Sequence, residues 1–139
     1  MIKFNLKFFL AIIFVTLYSC SKGVEKPAIT IGKFSEQTFQ MTEVVNKLMN
    51  EPDVKIMNKM ADGVEATRAI NCDAIGEECN SYYNFLNKVV SFTKDNDLTE
   101  SERETLGTLK KQLFIDMEKS EAILQTQWKN YINSDNREK

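Results

Sequence analysis

The sequence predicts a small all-α protein, a bundle of about four helices, and three observations lead to this fold class. Four stretches of the 139-residue chain carry apolar residues at the three- and four-residue spacing of an amphipathic helix. One of these stretches begins with a complete capping sequence. The chain contains only 5 Gly and 2 Pro, so few positions interrupt a helix. Short connections favour an up-and-down bundle, because each apolar stripe must pack against another.

The first nineteen residues precede these helical stretches and have the order of a secretory signal. A basic stretch at 1–7 is followed by an apolar run at 8–15 and then by a short segment that ends at Cys20. The apolar run is about half of the roughly 18 residues that a membrane-spanning helix needs. We therefore predict that residues 1–19 are an export signal that is cleaved.

The end of this signal resembles the lipobox of bacterial lipoproteins, which reads Leu, a variable residue, a small residue and then Cys. Leu17-Tyr18-Ser19-Cys20 matches the pattern at three positions, and Tyr18 is bulkier than the usual residue there. The resemblance covers residues 1–20 only. It implies cleavage before Cys20, transfer of a diacylglycerol to its thiol and acylation of the new amino group by a fatty acid such as palmitate. Ordinary signal cleavage or an uncleaved anchor is the alternative.

The residue after Cys20 bears on which membrane holds the protein. In the sorting rule that the lipoprotein resemblance implies, Asp at this position favours the inner membrane. The residue here is Ser21, which favours the outer membrane. We expect a lipid-anchored protein of the bacterial cell envelope, and the face of the membrane that it occupies stays open.

The chain divides into three segments: the signal at 1–19, the lipidated Cys20 with a flexible tether at 20–34, and a helical bundle at 35–139. The tether contains Gly and Pro and has no apolar periodicity at its start. Residues 28–32 are rich in β-branched side chains, but a single strand has no partner in a helical chain, so we predict coil there.

The first two helices are separated by a proline. Helix one begins at Ser35 and is interrupted at Pro52, and helix two begins at Asp53. The apolar residues of the two stripes are Met41, Val44, Val45, Leu48, Met57, Met60, Ala61 and Val64.

The last two helices are separated by a polar turn at 94–97. The fourth begins with a capping box, in which Thr99 and Glu102 each satisfy a backbone N–H, and extends to about Asn133. At about 1.5 Å per residue that is near 50 Å. The apolar residues of the two stripes are Cys79, Tyr82, Tyr83, Leu86, Val90, Leu106, Leu109, Leu113, Met117, Leu124, Trp128 and Tyr131.

Two cysteines, Cys72 and Cys79, lie between helices two and three. On an unbroken helix they would be about 10.5 Å apart along the axis, whereas a disulfide requires a Cα separation under about 7 Å. A turn near Gly76 would bring them together, and export implies an oxidising compartment. We predict a structural disulfide that contributes about 2–3 kcal/mol. The alternative, a redox or metal-binding dithiol, lacks the C-x-x-C spacing and two further zinc ligands.

Five residues are candidates for binding a partner protein. Phe85, Val89 and Phe92 form a second apolar row on helix three, which is therefore either buried between its neighbours or exposed to a partner. Trp128 and Tyr131 lie near the end of the long fourth helix, where aromatic side chains either anchor a partner or pack on the bundle. For each of these two surfaces, burial in the bundle and contact with a partner both remain open.

The composition argues against catalysis and nucleic-acid binding. The chain has no His, the commonest general base and metal ligand. Two of its 18 basic residues, Lys3 and Lys7, precede Cys20, so the exported part carries 16 basic against 20 acidic residues and is not suited to nucleic acid. The acidic clusters at 77–78 and 100–104 suit helix starts and lack the EF-hand spacing. We expect no enzyme, catalytic residue, metal or cofactor.

The function expected from these observations is protein binding at a membrane. As a fold-level analogy, the chain looks like the small, helical, disulfide-bearing pilotin-like lipoproteins that escort or chaperone outer-membrane secretion components. A surface-exposed lipoprotein that binds host or competitor molecules, or one with an immunity or exclusion role, is the alternative. A hydrolase is the least supported class.

Overall fold

A computed structural model describes residues 27–67 and 76–135, and it confirms the predicted all-α fold. Within these two ranges the regular structure is helical and contains no strand. In chain order the helices are α1 (Pro27–Met49), α2 (Val54–Thr67), α3 (Glu77–Phe92) and α4 (Glu100–Asp135). Each helix packs on the next, and α1 also packs on α4. The result is a small bundle around one core.

Helix α1 begins at Pro27, eight residues before the predicted start at Ser35. The prediction of a flexible tether is therefore wrong for 27–34, which are helical. Two features explain the earlier start. Proline suits the first turn of a helix, where its missing N–H has no intrahelical partner to lose. Phe34 is only 5% exposed, so packing on the bundle stabilises the turns before it.

The break between α1 and α2 lies where the sequence places it. Pro52 stands outside both helices, and the Asp53 side chain caps α2. Its Oδ1 accepts hydrogen bonds from the backbone N–H groups of Lys55 at 2.9 Å and Ile56 at 3.2 Å. A side-chain oxygen at this position satisfies donors that the first turn leaves free.

The predicted capping box at the start of α4 is confirmed. Glu102 Oε2 accepts a hydrogen bond from the Thr99 backbone N–H at 2.9 Å, and Thr99 Oγ1 accepts one from the Glu102 N–H at 3.3 Å. Hydrogen bonds from the Thr99 backbone and side chain lower the pKa of the exposed Glu102 carboxyl below its ordinary value. Before this start, Asn96 has a φ of 56°, a left-handed conformation that Asn tolerates well.

The core consists of the predicted stripes and a few residues outside them. Phe34, Phe85, Val89 and Leu98 are buried although the four stripes do not include them. The stripe residues that are fully or almost fully buried are Met41, Val45, Leu48, Met57, Ala61, Cys79, Tyr82, Leu86, Leu106, Leu113 and Met117.

Helix α4 is much longer than its neighbours, with 36 residues against 23, 14 and 16. The last buried residue on it is Met117, and each side chain from 118 to 134 is exposed or half-buried. The C-terminal half of α4 therefore extends past the core.

Candidate functional site

The second apolar row of α3 belongs to the core. Phe85 and Val89 are both 0% exposed, because α3 packs on α2 along one side and on α4 along another. A helix with two neighbours buries two faces, so the apolar row that the sequence offers as a partner face is already covered. Of the two alternatives for this row, burial is therefore correct for Phe85 and Val89, and their candidacy as partner-binding residues is wrong. Phe92, at the end of the row, is half-buried, and Lys88 Nζ lies 5.5 Å from the centre of its ring.

The two aromatic residues near the end of α4 lie on the surface and contact each other. The rings of Trp128 and Tyr131 are stacked, with centroids 6.0 Å apart and an interplanar angle of 19°. Tyr131 is 40% exposed, and the neighbouring Ile132 is 39% exposed. Both predicted residues therefore remain available for contacts outside the bundle.

A groove that the sequence analysis did not identify lies between α1 and α4. It has a volume of about 460 Å³, within the range of about 300–1,000 Å³ that is usual for ligand sites. Thr42 Oγ1 lies 3.9 Å from Met117 Sδ and links the two helices. The residues that line this α1–α4 groove are Phe34, Ser35, Thr38, Phe39, Thr42, Phe114, Met117, Glu118 and Glu121.

The groove combines an apolar floor with acidic side chains at its edge. Phe34 on α1 is buried, and Phe114 on α4 is half-buried. Phe39 is 67% exposed, an unusually open position for a phenylalanine. Glu118 and Glu121 are exposed on the α4 side. An apolar patch with polar residues at its rim is typical of a protein-binding surface.

One sequence signal could have located the inner wall of this groove. Phe34 lies seven residues before Met41, so it continues the apolar stripe of helix one by one heptad. Residues 20–34 are nevertheless predicted as tether, because the Gly and Pro near their start are typical of a linker and interrupt the helical pattern. Phe39 falls outside the stripe, and periodicity alone does not show whether such a residue is exposed on a bare surface or beside a groove.

Polar side chains connect α3 to α4 on the opposite side of the core. Ser81 Oγ donates to Asp116 Oδ2 at 2.6 Å, and Gln112 Nε2 donates to Asp116 Oδ1 at 2.9 Å. Lys119 Nζ lies 3.6 Å from the same carboxylate. The hydrogen bond from Ser81 lowers the pKa of Asp116, desolvation opposes this change, and the Gln112 and Lys119 contacts reinforce the lowering. The charged and buried carboxylate of Asp116 therefore helps to hold α3 against α4.

We expect the Asp116 contacts to make stability pH-dependent. Since the folded-state pKa is lowered, the contribution is present above the ordinary Asp pKa of about 3.9 and is lost as the pH falls through the folded-state pKa. Asp116→Asn should lower the free energy of unfolding at pH 7 by about 1.5–3 kcal/mol. Urea unfolding at several pH values should show that this difference shrinks in acid. Asp62→Asn, at an exposed site, is the control, and an Asp116→Asn effect that is independent of pH would contradict the assignment.

Two buried polar atoms lie near the start of α3. Among the described residues, Glu78 Oε1 and Tyr82 Oη are buried and have no hydrogen-bond partner. The other carboxylate oxygen of Glu78 accepts a short hydrogen bond from Ser120 Oγ. Burial raises the pKa of the Tyr82 hydroxyl, and the neighbouring Tyr83 adds to the rise. Neither residue lines the α1–α4 groove, so the groove contains no unusual acid or base from this cluster.

The predicted lipid and disulfide residues lie largely outside the described part of the chain. Cys20 and Cys72 fall in 1–26 and 68–75. Cys79 lies in the first turn of α3 and is 0% exposed. Lipidation of Cys20 and pairing of Cys72 with Cys79 therefore stay predictions.

No cluster of three or more Cys, Asp or Glu side chains in 27–67 and 76–135 is placed to hold a metal ion. None of the four helices combines the length and apolar character needed to cross a bilayer.

Comparison with known proteins adds no relative from which a function could be transferred. No protein-family model matches the sequence, and no curated protein and no solved structure matches it either.

Proposed function

We propose that the chain is a lipid-anchored helical protein of the bacterial cell envelope that binds a partner protein in the α1–α4 groove. The observation that carries the proposal is the groove itself, which is open and apolar and has Phe39 67% exposed at its edge. Large exposed apolar residues beside a concave surface are typical of sites where another protein packs.

The chemistry of the groove specifies the kind of segment that it receives. An aliphatic or aromatic side chain packs against Phe34, Phe39 and Phe114, because these are the apolar surfaces that line the cavity. A Lys or Arg beside that side chain faces Glu118 and Glu121. Such charge complementarity speeds association and selects the partner, and it adds less to affinity than the apolar contact does.

The lipid anchor places this binding function at a membrane. Acylation of Cys20, as the lipobox resemblance implies, attaches the domain, and Ser21 favours the outer membrane. A Cys72–Cys79 disulfide fits an exported protein. Within this setting the role that we propose is that of an escort or chaperone-like, pilotin-like accessory of an outer-membrane system. A surface-exposed lipoprotein, including one with an immunity or exclusion role, is the second candidate, and protease accessibility on intact cells distinguishes the two.

Site-specific crosslinking tests the groove in living cells. A photo-crosslinking phenylalanine derivative replaces Phe39, and the same derivative at Ile56 is the matched control. Ile56 is 46% exposed on α2 and does not line the groove. We expect a defined adduct at position 39 and none at position 56. Mapping of the adduct should place the crosslink on a partner segment that has an apolar residue next to Lys or Arg.

Binding of that mapped segment to the purified protein provides the quantitative test. Phe39→Ala should weaken binding roughly 30-fold, the effect of losing an interface anchor worth about 2 kcal/mol. Glu121→Gln should reduce the salt dependence of the association rate, while Ile56→Ala should leave binding unchanged. Equal adducts at positions 39 and 56, or a Phe39→Ala protein that binds as tightly as the parent, would contradict the proposal.

A further inference from the structure

Contacts between α1 and α4 define which ends of the two helices lie together. Thr42 contacts Met117, and Phe34 and Glu121 line the same groove eight and four residues further towards the start of α1 and the end of α4. The two helices are therefore antiparallel. The fifteen residues from Thr42 back to Pro27, and the fifteen from Met117 on to residue 132, each span about 22 Å of helix. By this measure Pro27 lies level with residue 132, so the end of α4 lies beside the start of α1.

Helix α3 does not reach this end of the bundle. Its first turn contacts Ser120 through Glu78, and Ser81 contacts Asp116, so α3 begins level with residue 120 of α4. Beyond residue 120, towards the end of α4, α3 therefore no longer packs on α4. Beyond this level Leu124, Trp128 and Tyr131 continue the stripe of Leu113 and Met117 at helical spacing, and Ile132 lies beside them on the side of α4 that faces α1.

We propose that this apolar end of α4 lies on the lipid surface that holds acylated Cys20. The inference rests on the lipid anchor of the proposed function. Six residues lie between Cys20 and Pro27, and the seven Cα-to-Cα steps of a fully extended chain over this distance span at most about 25 Å. The acyl chains therefore hold the start of α1 near the bilayer, and the antiparallel arrangement brings Trp128, Tyr131 and Ile132 to the same level.

The residue types at this end suit a lipid surface better than an aqueous one. Trp and Tyr prefer the membrane interface, where a ring and a polar atom each find a suitable environment. Residues 122–134 contain no Asp or Glu and one charged side chain, Lys129, and the helix ends at Asp135. Glu118 and Glu121, at the edge of the α1–α4 groove, lie about three to four turns before Ile132 on α4. The acid-free segment thus faces the bilayer, and the acidic groove faces the aqueous side.

The single tryptophan of the chain makes the contact measurable without labelling. Trp128 is the one Trp among 139 residues, so all Trp emission comes from the proposed site. The mature acylated protein is reconstituted into vesicles of phosphatidylethanolamine and phosphatidylglycerol with or without bromine on the acyl chains. We expect brominated lipid to quench Trp128 and the emission to lie at shorter wavelength than in the unacylated Cys20→Ala protein. Aqueous iodide should quench the vesicle-bound protein less than the Cys20→Ala protein.

A charged residue at the proposed contact provides a matched comparison. Ile132→Glu introduces an acidic side chain at a position that is 39% exposed, and it should abolish most of the quenching by brominated lipid. Ile56→Glu introduces the same charge at an exposed site on α2 and should leave quenching unchanged. Circular dichroism checks that both variants keep the helical content of the parent.

The possible outcomes separate this inference from the proposal on which it rests. Protein that floats with the vesicles but shows Trp128 open to iodide and unaffected by brominated lipid would overturn the inference and leave the anchor intact. Protection from both quenchers would also overturn it, because another protein or a second copy would then cover this end. Mature protein without acyl groups on Cys20 by mass spectrometry would refute the anchor, and the inference with it.

Discussion

Phe85→Ala is expected to lower the free energy of unfolding by about 3–5 kcal/mol, the usual cost of removing a core phenylalanine ring. The ring is 0% exposed and lies on α3 between α2 and α4, so its removal leaves a cavity that the neighbouring helices fill only in part. Domains of this kind have a total stability of about 5–15 kcal/mol. Urea unfolding followed by circular dichroism measures the change.

The matched control for this prediction is Phe39→Ala. Phe39 is 67% exposed, so the same truncation should change stability by less than about 0.5 kcal/mol. If Phe85→Ala leaves too little folded protein to measure, Phe85→Leu creates a smaller cavity and should show a reduced loss. Equal stability of the Phe85→Ala and Phe39→Ala proteins would mean that α3 does not lie at the centre of the bundle, and Phe85 would again be a candidate for partner binding.

The second large effect is expected at the contact between Ser120 and Glu78. Ser120→Ala removes the hydroxyl that donates to Glu78 Oε2, while Oε1 already has no partner among the described residues. Glu78 is 0% exposed, so the carboxylate would be left buried with neither oxygen bonded. We expect a loss of about 2–3 kcal/mol, since an unsatisfied buried group costs more than a hydrogen bond gains. Chemical denaturation at pH 7 measures it.

A second substitution at Glu78 tests the physical reason for this loss. In a Ser120→Ala background, Glu78→Leu replaces the buried polar carboxyl with an apolar side chain of similar size, so most of the lost stability should return. Ser91→Ala, at an exposed site on α3, controls for the removal of a serine hydroxyl and should have little effect. Failure of the double variant to recover stability would show that the carboxylate is not the source of the loss.

The sequence by itself determined the fold class and most of the local structure. Helical periodicity placed the four stripes, and side-chain oxygens placed the helix starts at Asp53 and at Thr99 with Glu102. These features act within one or two turns of the chain, so they depend on neighbouring residues and not on the rest of the molecule. For the same reason the sequence located the break at Pro52 within a few residues.

Only the tertiary structure decided which apolar surfaces are covered. The period of an α-helix shows which residues share a face, but it does not show whether another helix packs on that face. Phe85 and Val89 proved to be core because α3 lies between two neighbours, and Phe34 proved to be helical because it packs on the bundle. The α1–α4 groove arises from two helices far apart in sequence, which is why no local pattern located it. Its exposed Phe39, and the end of α4 that α3 does not cover, are therefore properties of the assembled bundle.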